Sequence, residues 1–587
     1  MKYYKSNVVG FYLLILFCCN INFLHGQVIN SPDTLVIDAK ILDKESSEPL
    51  PYATIYNQSS ARGTVSDLEG MFKLKGVTLN DTLIISYIGY SKKMIVVTRS
   101  MINEVIFLNP KAEPLTEVLV FADNSHLYDL IASCKKTRTN RSRTAKTYFS
   151  LESHINGFQV ELLECYYNGE FAGYDVTELR LKNGRIGLTE FGNRFFVSTE
   201  TSKALYMQKL FHKNVFFSQS PFELSKTKLK KQYDLFVKSK YLDDDSATVY
   251  VVNFVPKDST QGLFKGQVWF DSSNSRIIKV NLEAINTTTH PFIPHGNIDS
   301  LTQVDIYISK TYRLIDGDMY VNSIDFNYQI SYKTVDAQLF SVSTNAVLYA
   351  YDYTDQFLLP LFQFSSGSYV DYRKINAAPY NQFFWDNIQE FGMTDIKDKN
   401  DLFHKNKSTM TGQTLFINNP YFVKGLFDHP YVFWSENRIR FRDDLSDNLD
   451  YTSYEGAIPL ERYNLVVQIY LDINQLNDSL NIITSTVFDP FESYYHFPLT
   501  NEGMAFINMY FDVIEIHRRE LDSALGELED IRDMISLYDE KIEELEKISR
   551  SFFNDVVRGT NKDGMLKWNK FIRNEIKIDN IALFNLY

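Results

Sequence analysis

Cysteine is scarce in this 587-residue chain: there are four, and Cys18 and Cys19 lie in an apolar stretch near the start. That leaves Cys134 and Cys165, too few for a disulfide framework and at a spacing that fits no compact Cys/His metal site. A single bridge is open to them in an oxidising compartment, but two buried apolar thiols are the preferred reading. Positive charge is also in deficit. Sixty Lys and Arg against 73 Asp and Glu leave a net charge of -13, which argues against a nucleic-acid partner. Long apolar runs are missing beyond the first. Val8–Cys19 is shorter than the roughly 20 residues of a membrane-spanning helix. Lys2 and Lys5 precede it and the small Gly26 follows, so residues 1–26 read as a signal peptide cleaved before Gln27. Phe17 and Cys18 stand where a lipobox wants a small residue, which argues against lipidation. The expected destination is the periplasm or the outer-membrane surface. There is no GxSxG elbow, no phosphate-cradling glycine loop and no nucleotide fingerprint.

What the chain does hold is aromatic and strand-like. Its 38 Tyr and 44 Phe suit many β-strands, and its length exceeds a single hydrophobic core. The expected fold is multi-domain and mainly β, with an α+β C-terminal part. The expected segments are a sandwich over 27–122, a helical linker over 123–147 and an antiparallel β domain over 148–353. An aromatic-rich irregular connection over 354–429 and an α+β domain over 430–587 complete the chain.

From Leu35 to Leu108, short alternating runs are broken by turns such as Asp67-Leu68-Glu69-Gly70, the pattern of a small antiparallel sandwich. Three motifs follow in order: Glu48-Pro49-Leu50-Pro51-Tyr52-Ala53; Gly63-Thr64-Val65-Ser66-Asp67 with Gly70 and Phe72; and Ile85-Ser86-Tyr87-Ile88-Gly89-Tyr90. Over these residues the chain resembles the carboxypeptidase-regulatory-like domain. The resemblance implies a non-catalytic module and no peptidase. A TonB-dependent barrel, which often follows such a module, is not expected, because the chain beyond residue 430 turns helical and charged.

Leu127, Leu130, Ile131 and Cys134 fall at helical spacing, and the basic KKTRTNRSRTAK after them reads, in this acidic chain, as a solvated helix end and linker in preference to a nucleic-acid or anionic-lipid patch. Long alternating runs occupy Thr147 to Tyr353, with hairpin turns at Asp271–Ser275 and Ile315–Asp318. They predict a curved antiparallel sheet or open half-barrel. Sandwich, helix and sheet together resemble outer-membrane-associated proteins of unknown function, and the GQVWFDSSNSRIIKV hairpin is similar to the curved sheets of lipoprotein carriers. His290 and His295, with Pro291 and Pro294, read as a Pro-braced loop rather than a metal site, since no third ligand is positioned.

In the C-terminal part, two strands precede one long helix expected over 502–550. Its stripe is Leu521, Leu525, Leu528, Ile531, Ile535, Tyr538, Ile542 and Leu545. The order Trp434, Arg440-Phe441-Arg442-Asp443, Ser493, Phe511-Asp512-Val513-Ile514-Glu515-Ile516, Arg518-Arg519, Gly559 and Trp568-Asn569 is similar to a secreted zinc-dependent protease domain. That family carries HExxH just before the Phe-Asp pair and a further His before the later Gly. Here Phe506 and Tyr510 take the two His positions, Ile507 takes the Glu position and Arg558 takes the later His. Phe cannot ligate zinc, Ile cannot act as a base and Arg stays charged. Glu515 is retained, but one carboxylate makes no catalytic metal site. The resemblance therefore implies a metalloprotease-like scaffold without catalytic, cofactor or metal residues. The function expected is binding or assembly with a protein or peptide partner. An atypical hydrolase or metalloprotease, and a half-barrel handling lipid or lipoprotein, are the alternatives.

Overall fold

The computed structural model describes most of residues 35–363, then 374–375, 378–387, 413–416 and 431–434, most of 463–495, and all of 500–587. The signal peptide, His295, Arg440–Asp443 and most of the 354–429 connection lie outside the described residues. The chain divides into two compact units.

The first unit holds β1 (Leu35–Asp43), β2 (Thr54–Asn57), β3 (Arg62–Val65), β4 (Met71–Val77), β5 (Thr82–Ser86), β6 (Lys93–Val96) and β7 (Glu104–Leu108). They form sheets of order β4-β1-β7 and β3-β2-β5-β6, with β1 parallel to β7. Alternation buries Ile37, Ala39 and Ile41 of β1 with Ile55, Phe72, Leu74, Leu83 and Ile85. Ser66 and Gly70 of the motifs serve structural contacts. Ser66 accepts from the Ala53 amide (2.9 Å) and donates to the Leu50 carbonyl (2.6 Å), which ties the second motif to the first. Gly70 sits at φ +76°, where a Cβ would lie 2.4 Å from the Ile41 carbonyl oxygen, so no larger residue fits.

In the second unit come β8 (Glu113–Pro114), α1 (Ser125–Thr137), β9 (Ser142–Ile155), β10 (Phe158–Ala172), β11 (Asp175–Leu188) and β12 (Arg194–Val197). Next are α2 (Lys226–Gln232), β13 (Tyr233–Leu242), β14 (Thr248–Pro256), β15 (Lys265–Asp271), β16 (Arg276–Ala284), β17 (Ser300–Ile315), β18 (Asp318–Lys333) and β19 (Leu339–Asp352). Eleven strands make one curved antiparallel sheet, β11-β10-β9-β19-β18-β17-β16-β15-β14-β13-β8. Two-residue turns, Asn156-Gly157 and Asp316-Gly317, set the registers Ile155↔Phe158 and Ile315↔Asp318. One face of the sheet is packed by the chain itself. Leu127, Ile131 and Cys134 of α1, then Leu210, Phe211, Phe217 and Phe222, join Phe149, Tyr167, Phe254, Ile306 and Tyr328 in one core. Cys134 and Cys165 are buried and not joined by a disulfide. His290 stacks on Phe292 (5.7 Å) beside buried Pro291, so it caps a core loop, and burial pushes its pKa down.

The remainder holds α3 (Gln382–Asn387), β20 (Gln413–Phe416), β21 (Val432–Phe433), β22 (Tyr463–Asn464), β23 (Val467–Leu476), β24 (Ser479–Phe488) and β25 (Tyr494–Tyr495). Four helices end the chain: α4 (Asn501–Leu525), α5 (Ile531–Val556), α6 (Lys562–Ile576) and α7 (Asn580–Leu583). The single long helix expected over 502–550 is therefore corrected to two. Gly526 stands at the C-cap of α4, and the Asp530 side chain caps α5 by accepting from the Arg532 amide (2.7 Å). The apolar stripe, read as continuous, is split across two helices that pack on each other. Met534, outside that stripe, is the fully buried residue of the first turns of α5. No helix among the described residues is long and apolar enough to cross a membrane.

A buried ion pair ties the large sheet to this C-terminal part. Lys182 of β11 reaches Asp472 of β23 at 2.5 Å, with both side chains almost wholly excluded from solvent. Lys182 also donates to the carbonyls of Leu358 (2.7 Å) and Ile473 (3.2 Å), while Asn381 and Asn474 donate to Asp472.

Candidate binding cleft

The residues singled out in the C-terminal sequence fall into two groups. Phe506, Ile507 and Tyr510 are buried in α4. Phe506 stacks on Phe552 of α5 (5.7 Å, 11°), and Tyr510 meets Phe553 (4.6 Å) and bonds Ser549 through its hydroxyl (3.2 Å). The two helical positions one turn apart thus present rings to a neighbouring helix. Among the described residues, no three His, Cys, Asp or Glu groups gather where they could hold a metal. Arg558 takes a left-handed conformation (φ +60°) beside Tyr495. Gly559 follows at φ +88°, where a Cβ would lie 2.5 Å from the Glu502 carbonyl oxygen. Close approach to the first turn of α4 explains that glycine.

The second group forms one polar network. Glu515 accepts from Thr486 (2.8 Å), from two nitrogens of Arg518 (2.9 and 3.0 Å) and from Arg519 (2.8 Å). A carboxylate held by two guanidiniums and a hydroxyl is an anchor between α4 and β24. Trp434 and Asn580 both donate to Asp512 (2.8 and 2.7 Å), and Arg519 lies 4.9 Å from the Trp434 ring centroid. Asn569 accepts from the Asn580 amide (2.8 Å), fastening α6 to α7. These polar residues tie α4 to β24, Trp434 and α7, and α6 to α7.

Beside this scaffold opens a cleft of about 1220 Å³ between α5, the middle of α4 at Tyr510 and Ile514, and the start of β23. Its floor includes Val467, Ile469, Tyr510, Ile514, Ile542 and Phe553. The sequence reading singled out Tyr510 only as standing at a His position of the protease-like motif, and it missed the acidic wall. Asp489, Glu492, Asp539, Glu543 and Glu546 line the cleft against a single cation, Arg550, which pairs with Glu546 (3.4 Å). The signal was present as Asp539, Glu543 and Glu546 at i, i+4 and i+7, which put three carboxylates on one helix face.

The β23 edge has a geometry of its own. In its sheet the order is β21-β24-β23, so β23 is an edge strand. Leu361 already adds to that edge, exchanging backbone hydrogen bonds with Leu471 (2.8 and 3.2 Å). Odd-numbered residues therefore turn their amides and carbonyls outward, and Ile469 and Val467 continue the row into the cleft. The Tyr538 hydroxyl donates to the Ile469 carbonyl (2.9 Å) at the mouth. Ser493 accepts from the Val466 amide (2.9 Å), fixing the far end. Among the described residues the lining offers carboxylates but neither imidazole nor thiol.

Among solved structures, three similar chains share only low identity. A chain of the Pseudomonas aeruginosa MucA/MucB complex has 10% identity, covering 38% of this chain and 93% of that one, with TM-score 0.15. A LolA superfamily protein of Nitrosomonas europaea has 11% identity, 39% and 96% coverage, and TM-score 0.15. An outer membrane lipoprotein-sorting protein domain of Vibrio parahaemolyticus has 13% identity, 40% and 92% coverage, and TM-score 0.17. At these scores none assigns a function. No curated protein matches the chain. The family model for the CarboxypepD_reg-like domain matches residues 37–120, in agreement with the motifs and the sandwich. Residues 37–120 are a CarboxypepD_reg-like domain.

Proposed function

We propose that this is an exported protein of the periplasm or outer-membrane surface whose C-terminal cleft binds an extended, cationic peptide segment of a partner, without catalysis. The observation that carries the reading is the outward-facing β23 edge at Val467 and Ile469, bordered by apolar seats and five carboxylates. An added strand gains main-chain hydrogen bonds from the edge, and alternate side chains fall into the apolar floor. Lys or Arg on the remaining positions meets Asp539 and Glu543, which steers encounter and selects against acidic segments. Phe506 and Ile507 at the former metalloprotease positions are compatible with a scaffold that kept a groove and lost its chemistry.

A displayed random-peptide library panned on the mature chain tests this. Enriched peptides are expected to be cationic with alternating apolar residues, and Asp539→Lys with Glu543→Lys abolishes the enrichment. Enrichment that ignores charge, or that survives both substitutions, refutes the reading.

A further inference from the structure

At one end of the eleven-stranded sheet, α1 and the loop before α2 build a surface unlike the rest of this acidic molecule. Val215 is 73% exposed and Phe216 37%, side by side at the tip of a loop whose flanks are deeply seated: Phe211 is 3% exposed and Phe217 2%. The tip is not loose. Asn214 donates to the Lys209 and His212 carbonyls (2.9 and 3.2 Å) and to the Glu223 carboxylate (2.9 Å), and accepts from the Lys209 amide (2.9 Å). Two apolar side chains are thus held out in water by a built turn.

The basic run after α1 lies against this tip. Lys135 donates to the Glu223 carbonyl (3.2 Å), and Arg138 packs 5.7 Å from the Phe211 ring centroid and 3.4 Å from His212. Lys136, Arg141 and Lys213 are exposed, and no ion pair engages them among the described residues. The neighbouring acids have other partners. Asp175 accepts from the Leu210 amide and lies 3.5 Å from His212, Glu223 clamps Asn214, Asp316 pairs with Arg143, and Asp271 folds back on the Ser273 amide. Asp129, whose charge reaches Lys136, is paired with Lys226.

We infer that this end of the sheet docks on an anionic bilayer surface, with Val215 and Phe216 entering the headgroup boundary and Lys136, Arg138, Arg141 and Lys213 facing the lipid phosphates. Two apolar side chains are too small a patch for the core of a stable protein interface. They suffice for shallow interfacial insertion when a collar of Lys and Arg meets anionic lipid. The net charge of -13 repels the rest of the molecule from the same surface, so the patch also orients it.

Sedimentation of the full mature chain with vesicles of equal parts phosphatidylcholine and phosphatidylglycerol tests the inference, with pure phosphatidylcholine vesicles as reference. Binding is expected to the anionic vesicles only and to fall in high salt. The pair Val215→Ser/Phe216→Ser and the triple Lys136→Glu/Arg141→Glu/Lys213→Glu should each weaken it by about tenfold or more. Leu339→Ser, equally exposed but at the other end of the sheet, should leave it unchanged. Melting temperatures of all variants should match the parent, since the altered side chains are exposed. Absence of binding, equal binding to neutral vesicles, or binding that survives either the apolar or the charge variant overturns the inference.

Discussion

Lys310 should make the second unit more stable in alkali, and replacing it should remove that gain. Its ammonium points into the core of the large sheet, is 1% exposed and donates to the Gln208 carbonyl (2.5 Å). Burial pulls its pKa down to about 8, and the charge of Asp175 only partly opposes this. Against an ordinary lysine value near 10.4, the difference corresponds to a cost on the order of 3 kcal/mol for carrying the charge inside. Below pH 8 the lysine is protonated in both folded and unfolded chains, so the cost is constant and fully present. Between pH 8 and about 10.4 the folded chain releases its proton while the unfolded chain keeps it. The unfolded state then binds more protons, and stability rises with pH. Lys310→Met removes the titrating group and leaves the Gln208 carbonyl without its donor, a loss of about 1 kcal/mol. The variant should therefore be more stable than the parent at pH 7 by about 2 kcal/mol, an advantage that disappears by about pH 10.4. Urea denaturation of both proteins at several pH values measures this difference. Tyrosines pushed up by burial, such as Tyr174 and Tyr312, are common to both and largely cancel. A difference that does not change with pH, or a Met variant less stable at pH 7, refutes the reasoning.

Lys182→Met should cost about 3–5 kcal/mol, because Asp472 would keep only amide donors in a buried site. Lys182→Met with Asp472→Leu should recover most of that loss, measured by thermal unfolding and by hydrogen exchange at β11 and β23. Cys134, whose thiol burial pushes up to about 12, should resist iodoacetamide at pH 8 in the folded chain and react once unfolded. Mass spectrometry showing Cys134 alkylated in the native protein would contradict its burial.

Residues close in sequence made much of this legible. Alternation along β1 and β17, the Asp316-Gly317 turn and the helical spacing of Leu127, Ile131 and Cys134 each fix a local geometry from covalent periodicity alone. The regulatory-like motifs were equally readable, because Ser66 and Gly70 serve contacts within one small sandwich. The continuous stripe from Leu521 to Leu545 misled, since its period survives the interruption at Gly526 while the caps that end one helix and start the next are single residues. Phe506 could be read as a non-ligand from its chemistry. That Phe506 and Tyr510 face Phe552 and Phe553 depends on how α5 folds back.

By itself the sequence determined the β-rich class and the regulatory-like sandwich, because composition, period and motif order are local properties. Only the tertiary structure decided that Lys182 meets Asp472 across 290 residues, that Asp539 and Glu543 line a cleft with the β23 residues Val467 and Ile469, and that Val215 and Phe216 stand beside basic side chains. Those juxtapositions arise from long-range packing, and no residue spacing encodes them.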